Sequence, residues 1–384
     1  MALALAAENN PQLNAAAAQV AAASAGITTA KAYPNPEVAM MAGRQTIAAP
    51  GNINGMVHSY SLTQPLELGA LRPTRLEYAQ RGRESSERSL AEIRLAVLSA
   101  VRRTFFQALR KRAEIDLLLE NLRLVEELRK RIQVRVDVGE AGRLELIRAD
   151  AEVTTSRTAV NNARLQSIAA LAQLRAAIGA SVDPDATPSG TLDPEADLPS
   201  LDRLRVEVLQ RHPSLALGRA EVRRAEARLA METAMRRPQP ALRAEIDQPP
   251  DSPTYRVGIA IPLPVWNKRE GPIAEASALV TQANALARSR QLLLIAALES
   301  AFGRYQEASQ QLASLAQGPL REAEEAVRIA QTAYQLGERG ILEVLDAQRV
   351  LRTVRLDYLN AQYDRQAALI DLDELRAVEL RRIP

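Results

Sequence analysis

Two spacings alternate along the chain. In Leu242–Asp247, apolar Leu242, Ala244 and Ile246 fall on one face and Arg243, Glu245 and Asp247 on the other, the two-residue period of a strand. Tyr255–Leu263 shows it again, with Tyr255, Val257, Ile259, Ile261 and Leu263 against Arg256, Gly258, Ala260 and Pro262. Residues 37–45 carry a weaker form, Val38, Met40 and Ala42 opposite Glu37, Met41 and Gly43, and 56–64 reads as its hairpin partner across the turn cluster AAPGNING. Elsewhere the spacing is helical, as in Leu118, Leu122, Val125, Leu128 and Ile132. No proline interrupts residues 74–137, which predicts one helix roughly 95 Å long at 1.5 Å per residue.

The order of elements occurs twice. Val136–Asp150 (VDVGEAGRLELIRAD) matches Tyr334–Gln348 (YQLGERGILEVLDAQ), pairing Gly139 with Gly337, Glu140 with Glu338, Leu144 with Leu342 and Glu145 with Glu343 at one constant offset. Residues 1–180 therefore read as a first structural repeat. It comprises a helix from Pro11 capped by Asn9 or Asn10, strands 37–45 and 56–64, the long helix 74–137, a turn at 138–142 and a helix over 143–178. A Pro/Asp/Gly-rich linker covers 181–200. The second repeat, 201–384, has a short helix over 201–211 and then a helix over 214–236. Strands 242–247 and 255–263, a long helix over 272–336, a turn at 337–340 and a helix over 341–379 follow. Gly318-Pro319 predicts a kink inside the long helix.

Composition agrees with long helices packed side by side. Aromatic residues make up 3% and charged residues 25%, with both signs mixed along the helical segments. The net charge of +3 is spread singly, so no nucleic-acid partner is expected. The chain has no cysteine, which removes disulfides, thiolate metal sites and a lipid-anchored cysteine. Met1–Ala7 is too short and uncharged for a signal peptide, and no run of about 18 apolar residues exists for a transmembrane helix. His58 and His212 are the only histidines, far apart in sequence. No metal site, cofactor or catalytic constellation is expected, and an enzyme has no residues to recommend it.

Strands of about ten residues, apolar on one face and polar on the other, are the signature of transmembrane β-barrels. A half-buried sheet in a soluble protein gives the same alternation. Four strands cannot close a barrel, for which about eight are the minimum, so the membrane reading requires an oligomer that pools strands.

Two copies of helix–strand–strand–helix–turn–helix, with YxxGxxxxxxVLDA at the second turn and LRAAIG closing the first copy, resemble the TolC family of outer-membrane efflux proteins over about residues 3–378. Tyr60–Gly82 and Tyr33–Val38 look most like its heavy-metal branch, the cobalt–zinc–cadmium and copper–silver systems. The resemblance implies a mainly α fold with a small β part. Long antiparallel hairpins would build an α-barrel tunnel, and four strands per chain would enter a trimeric 12-stranded β-barrel in the outer membrane. It also implies a homotrimer working with a periplasmic adaptor and an inner-membrane RND pump, with outer-membrane lipid around the barrel. The chain would be a passive exit duct for heavy-metal cations. Drugs, solvents or secreted polypeptides are the alternative cargo, and a soluble periplasmic adaptor or scaffold is the alternative from another class.

By the same resemblance Glu343 and Asp346, at i and i+3 on one helix face, form carboxylate rings at the pore constriction. An ordinary solvated acidic face is the bland reading of the pair. Arg339, Tyr334 and Glu145 would form the tip network of ion pairs and hydrogen bonds, with Leu144 replacing the family's polar partner. Val138, Gly139, Leu336 and Gly337 would dock the adaptor, although a tight turn needing positive φ explains the glycines equally.

Overall fold

The computed structural model describes residues 1–46, 51, 53–180, 187–192 and 198–378. In chain order the elements are α1 (Ala2–Asn9), α2 (Pro11–Lys31), β1 (Glu37–Gln45), β2 (Gly55–Pro65), α3 (Leu71–Asp137), α4 (Arg143–Ile178) and α5 (Leu201–Arg211). Then come α6 (Pro213–Ala234), β3 (Ala241–Gln248), β4 (Thr254–Ala260), α7 (Glu270–Gln317), α8 (Pro319–Gln335) and α9 (Ile341–Leu375). The break expected at Gly318-Pro319 separates α7 from α8, with Gly318 at φ −124°, ψ −79° and Pro319 at the first helical position. Most of the linker 181–200 and the tip of the β1–β2 turn lie outside the described residues, and α9 ends at Leu375 with Arg376 as its C-cap, short of the Glu379 expected.

Two compact units form, each drawn from both halves of the sequence. One comprises Met1–Ala15, Glu92–His212 and Leu292–Pro384, the other Ala16–Ala91 and Pro213–Gln291. The helices α2, α3 and α7 contribute residues to both.

The second unit holds one antiparallel sheet in the order β1-β2-β3-β4. Its register sorts the side chains by polarity. Val38 pairs with Leu62, Met40 with Tyr60, Tyr60 with Ile246, Leu62 with Ala244, Leu242 with Ile259 and Ala244 with Val257, which gathers the apolar residues of all four strands on one face. The other face joins Ser59 to Asp247 at 2.6 Å, Arg256 to Asp247, and Arg256 to Glu245 at 3.5 Å. Where the strands meet the helices, Arg75 donates to the carbonyls of Ala30 and Ala32 and pairs with Glu67. β4 stops at Ala260, paired with Ala241, although the alternation continues to Leu263. Ile261–Leu263 have strand chemistry but no strand beside them among the described residues.

The first unit has a string of small apolar clusters, as expected of helices poor in aromatic residues. Ala6, Val101, Ala108, Ala170, Leu174 and Ile178 form one, Leu118, Val160 and Ala163 a second, and Leu204, Val208, Leu298, Ala301, Leu372 and Leu375 a third. Asn10 is the residue that caps α2: its Oδ1 accepts from the Gln12 amide at 2.9 Å, and its Nδ2 donates to the last carbonyls of α4, 2.9 Å to Ala177.

Candidate functional site

Two turns of the first unit share an apolar cluster. At the end of α3 the Glu140 amide donates to the Arg135 carbonyl at 2.8 Å and that of Gly139 to Val136 at 3.1 Å. At the end of α8 the Glu338 amide donates to Ala333 at 2.9 Å and that of Gly337 to Tyr334 at 3.1 Å. Both are left-handed helix stops, with Gly139 at φ 80° and Gly337 at φ 73°. No atom lies within 4 Å of a Cβ built on either, so the backbone conformation alone demands glycine. The following helices start at Gly142 and Gly340, neither with a side-chain cap. Glu145 and Glu343 sit in the first turns of α4 and α9, where the helix dipole favours a carboxylate. Between the turns pack Ile132, Ala149, Tyr334, Ile341, Val344 and Leu345.

Tyr334 and Glu145 meet, the phenol donating to the carboxylate at 3.1 Å. Burial, and then the Glu145 carboxylate, push the Tyr334 phenol above its ordinary value, so it stays a donor at neutral pH. The Arg135 guanidinium lies 4.8 Å over the Tyr334 ring and 3.8 Å from Glu140. A cavity of about 430 Å³ beside it is lined by Leu124, Arg131, Arg135, Tyr334, Val344 and Gln348. Arg339 is exposed on the second turn and has no ion pair with any described residue, so it is not brought to Tyr334 and Glu145. Val138 and Leu336 project into solvent at 64% and 69% exposure.

Glu343 and Asp346 are both exposed, but their surroundings differ. Glu343 has no ion pair with any described residue. Asp346 lies 3.5 Å from Nη1 of Arg349. Arg349 in turn donates through Nε and Nη2 to one oxygen of Glu152, at 2.9 and 2.6 Å, and Arg352 reaches the other oxygen at 3.3 Å. The Glu152 side chain is 4% exposed, so this triad joins α4 to α9 through a buried carboxylate. The sequence reading missed it. Its signal was a glutamate in the buried series of α4, after Ala149 and before Val153, Ser156 and Val160, since such a charge must be paired.

The sheet is the second feature with unsatisfied chemistry. Its apolar face is bare, with Val38 at 68%, Tyr255 at 71% and Val257 at 79% exposure. Its outer strands β1 and β4 have no further partner among the described residues. No described helix is long and apolar enough to cross a membrane, and no group of three or more described His, Cys, Asp or Glu is placed to hold a metal ion.

The family described as outer membrane efflux protein matches residues 2–180 and 204–377. The chain belongs to this family. As an outer membrane efflux protein it is located in the outer membrane, and its bare apolar sheet is the surface suited to that solvent. The family accounts for the pairing of very long helices with a four-stranded sheet. The chain is 26% identical to the cobalt-zinc-cadmium resistance protein CzcC of Cupriavidus metallidurans, over 97% of this chain and 88% of that one. It is also 26% identical to the pyoverdine export outer membrane protein OpmQ of Pseudomonas aeruginosa, over 89% and 77%. Among solved structures, a crystal structure of CusC superimposes with a TM-score of 0.84 at 18% identity, covering 98% of this chain and 91% of CusC, which is likeness of fold.

Proposed function

We propose that this outer membrane efflux protein is the passive exit duct of a tripartite, RND-type efflux system and that its cargo is heavy-metal cations. The observation that carries the channel reading is the sheet, with one apolar face bare, one face charged, and β1 and β4 open at its edges. Three copies would pair each β4 with the β1 of the next. The strand directions make that join antiparallel, and a 12-stranded barrel follows, large enough to close where four strands are not. Ile261–Leu263 would then find the strand neighbour they lack among the described residues of one chain. In this reading the two halves of the chain are structural repeats, the helices line an α-barrel tunnel in the periplasm, and the charged sheet face lines the lumen.

At the turns, Glu343 and Asp346 of three copies would ring the constriction and draw cations through it. The Tyr334–Glu145 bond, which joins α8 to α4, would help to hold a closed arrangement, and Arg339, with no ion pair to any described residue, would complete the network with a neighbouring copy. Val138, Gly139, Leu336 and Gly337 would meet the hairpins of a periplasmic adaptor, which couples the duct to an inner-membrane pump. The likeness to CzcC supports metal cargo, and the acidic constriction suits it. The likeness to OpmQ favours an organic cargo as the second reading.

Single-channel conductance in planar bilayers tests this. Protein purified in detergent should insert as small cation-selective pores, and Glu343→Ala/Asp346→Ala should reduce selectivity and the block by millimolar divalent cations. Protein that stays dispersed without detergent and never inserts would overturn the channel reading. Organic solutes transported without competition from divalent cations would overturn the metal cargo.

A further inference from the structure

The two constriction carboxylates are not equivalent, and the difference is built on α4. Glu152 is a buried carboxylate, which is costly unless its oxygens are paired. Arg349 meets one oxygen through two nitrogens, at 2.9 and 2.6 Å, and Arg352 the other at 3.3 Å. Two nitrogens of the Arg349 guanidinium are thus committed to a fixed oxygen, and the rigid planar group leaves Nη1 directed at Asp346, 3.5 Å away. The pairing with Glu152 raises the Arg349 pKa further, so this cation is permanent. Asp346 therefore carries a countercharge held in place from a neighbouring helix. Glu343, on the same face of α9, carries none among the described residues. Seen from a passing ion, Glu343 is a bare charge and Asp346 half of a dipole, whose field falls off faster with distance.

We propose that Arg349, positioned by Glu152, masks Asp346, so that Glu343 alone sets the cation selectivity of the constriction. Arg349 is a positioning and charge-setting residue with no contact to the cargo. The inference rests on the constriction reading of Glu343 and Asp346. It adds that removing the mask creates a second selective ring where the native protein has one.

Reversal potentials across a KCl gradient test it, measured on single channels of the full-length protein. Glu343→Gln should lower the cation-to-anion permeability ratio several-fold, and Asp346→Asn by less than half as much. Arg349→Gln should raise the ratio. In that background Asp346→Asn should cost as much as Glu343→Gln costs in the native protein. Arg349→Lys, which keeps the charge, should leave the Asp346→Asn effect small. Equal losses from Glu343→Gln and Asp346→Asn in otherwise native channels overturn the masking, as does an Asp346→Asn effect that Arg349→Gln leaves unchanged. If Arg349→Gln does not assemble, the comparison of Glu343→Gln with Asp346→Asn, with and without Arg349→Lys, decides. Loss of no selectivity in either carboxylate variant overturns the constriction reading itself, and the masking falls with it.

Discussion

The turn at 138–142 and the turn at 336–340 share a backbone and differ in chemistry. Each stops a helix on a left-handed glycine, restarts one at a second glycine and sets a glutamate in the next first turn. Beyond the main chain they diverge. Ile341 opens α9 with its side chain 1% exposed, whereas the equivalent Arg143 opens α4 in solvent. Tyr334 fills the place that Val136 occupies before the first turn, and it holds the glutamate of the opposite turn. Glu145 is thereby tied down and Glu343 left free. A backbone motif fixed by two glycines allows its side chains to separate into a fastening role on one turn and an open charge on the other.

The comparison breaks most visibly at Ile341. Ile341→Ala should destabilise the protein by about 2–5 kcal/mol, because Ile132, Val344 and Leu345 cannot collapse fully onto the vacated volume. Arg143→Ala should stay within about 0.5 kcal/mol. Thermal unfolding followed by circular dichroism reads both, and equal effects would refute the asymmetry.

Tyr334→Phe comes next. A hydrogen bond to a carboxylate contributes about 1.5–3 kcal/mol, and partial exposure of Glu145 places this one near the lower value. The folded-state phenol is raised above 10, so its contribution is complete below the unfolded value and is lost as pH rises through the folded one. The difference between native protein and Tyr334→Phe should therefore stay constant across neutral pH and shrink only above pH 10, as unfolding at a series of pH values would show.

Gly139→Ala and Gly337→Ala sharpen the likeness instead. Neither meets a neighbour, so both should cost the left-handed strain alone, about 1–2 kcal/mol each, and the same within error. A clearly unequal pair would mean that one turn is not held in this conformation. Smaller than either is Arg129→Ala at the exposed pair with Asp150, 2.8 Å apart, expected to cost less than about 1 kcal/mol and to vanish in high salt.

The turns, the strand alternation and the break at Gly318-Pro319 were legible because each is written in neighbouring residues. A glycine placed for positive φ, a period of two, or a missing amide hydrogen needs no distant partner to be read. The pairing of β2 with β3 joins His58 to Gln248 across about half of the chain, and periodicity carries no such information. The cap before Pro11 was legible as Asn9 or Asn10, but neither α1 ahead of it nor the bond from Asn10 to Ala177 was. At the turns, resemblance pointed to Tyr334, Glu145, Glu343 and Asp346, while the partners that distinguish them, Arg135 and Arg349, come from packing. Strand four was read to Leu263 because its alternation runs that far. The ladder in one chain ends sooner, since hydrogen bonds need a neighbour and apolar pattern does not.

The open edges of the sheet have a consequence for the life of the chain before it functions. A newly made copy outside the membrane presents two templates for strand addition and a greasy face between them, a combination that invites capture by any extended polypeptide. In the three-copy ring proposed above, one defective edge would spoil the work of two sound neighbours. A copy with proline at Met40, in the middle of β1, should therefore poison assembly when co-expressed with the native chain, and counting intact trimers on a native gel would measure how steeply. Efflux through such a ring would thus be open to dominant inhibition, a vulnerability that a single-chain barrel does not share.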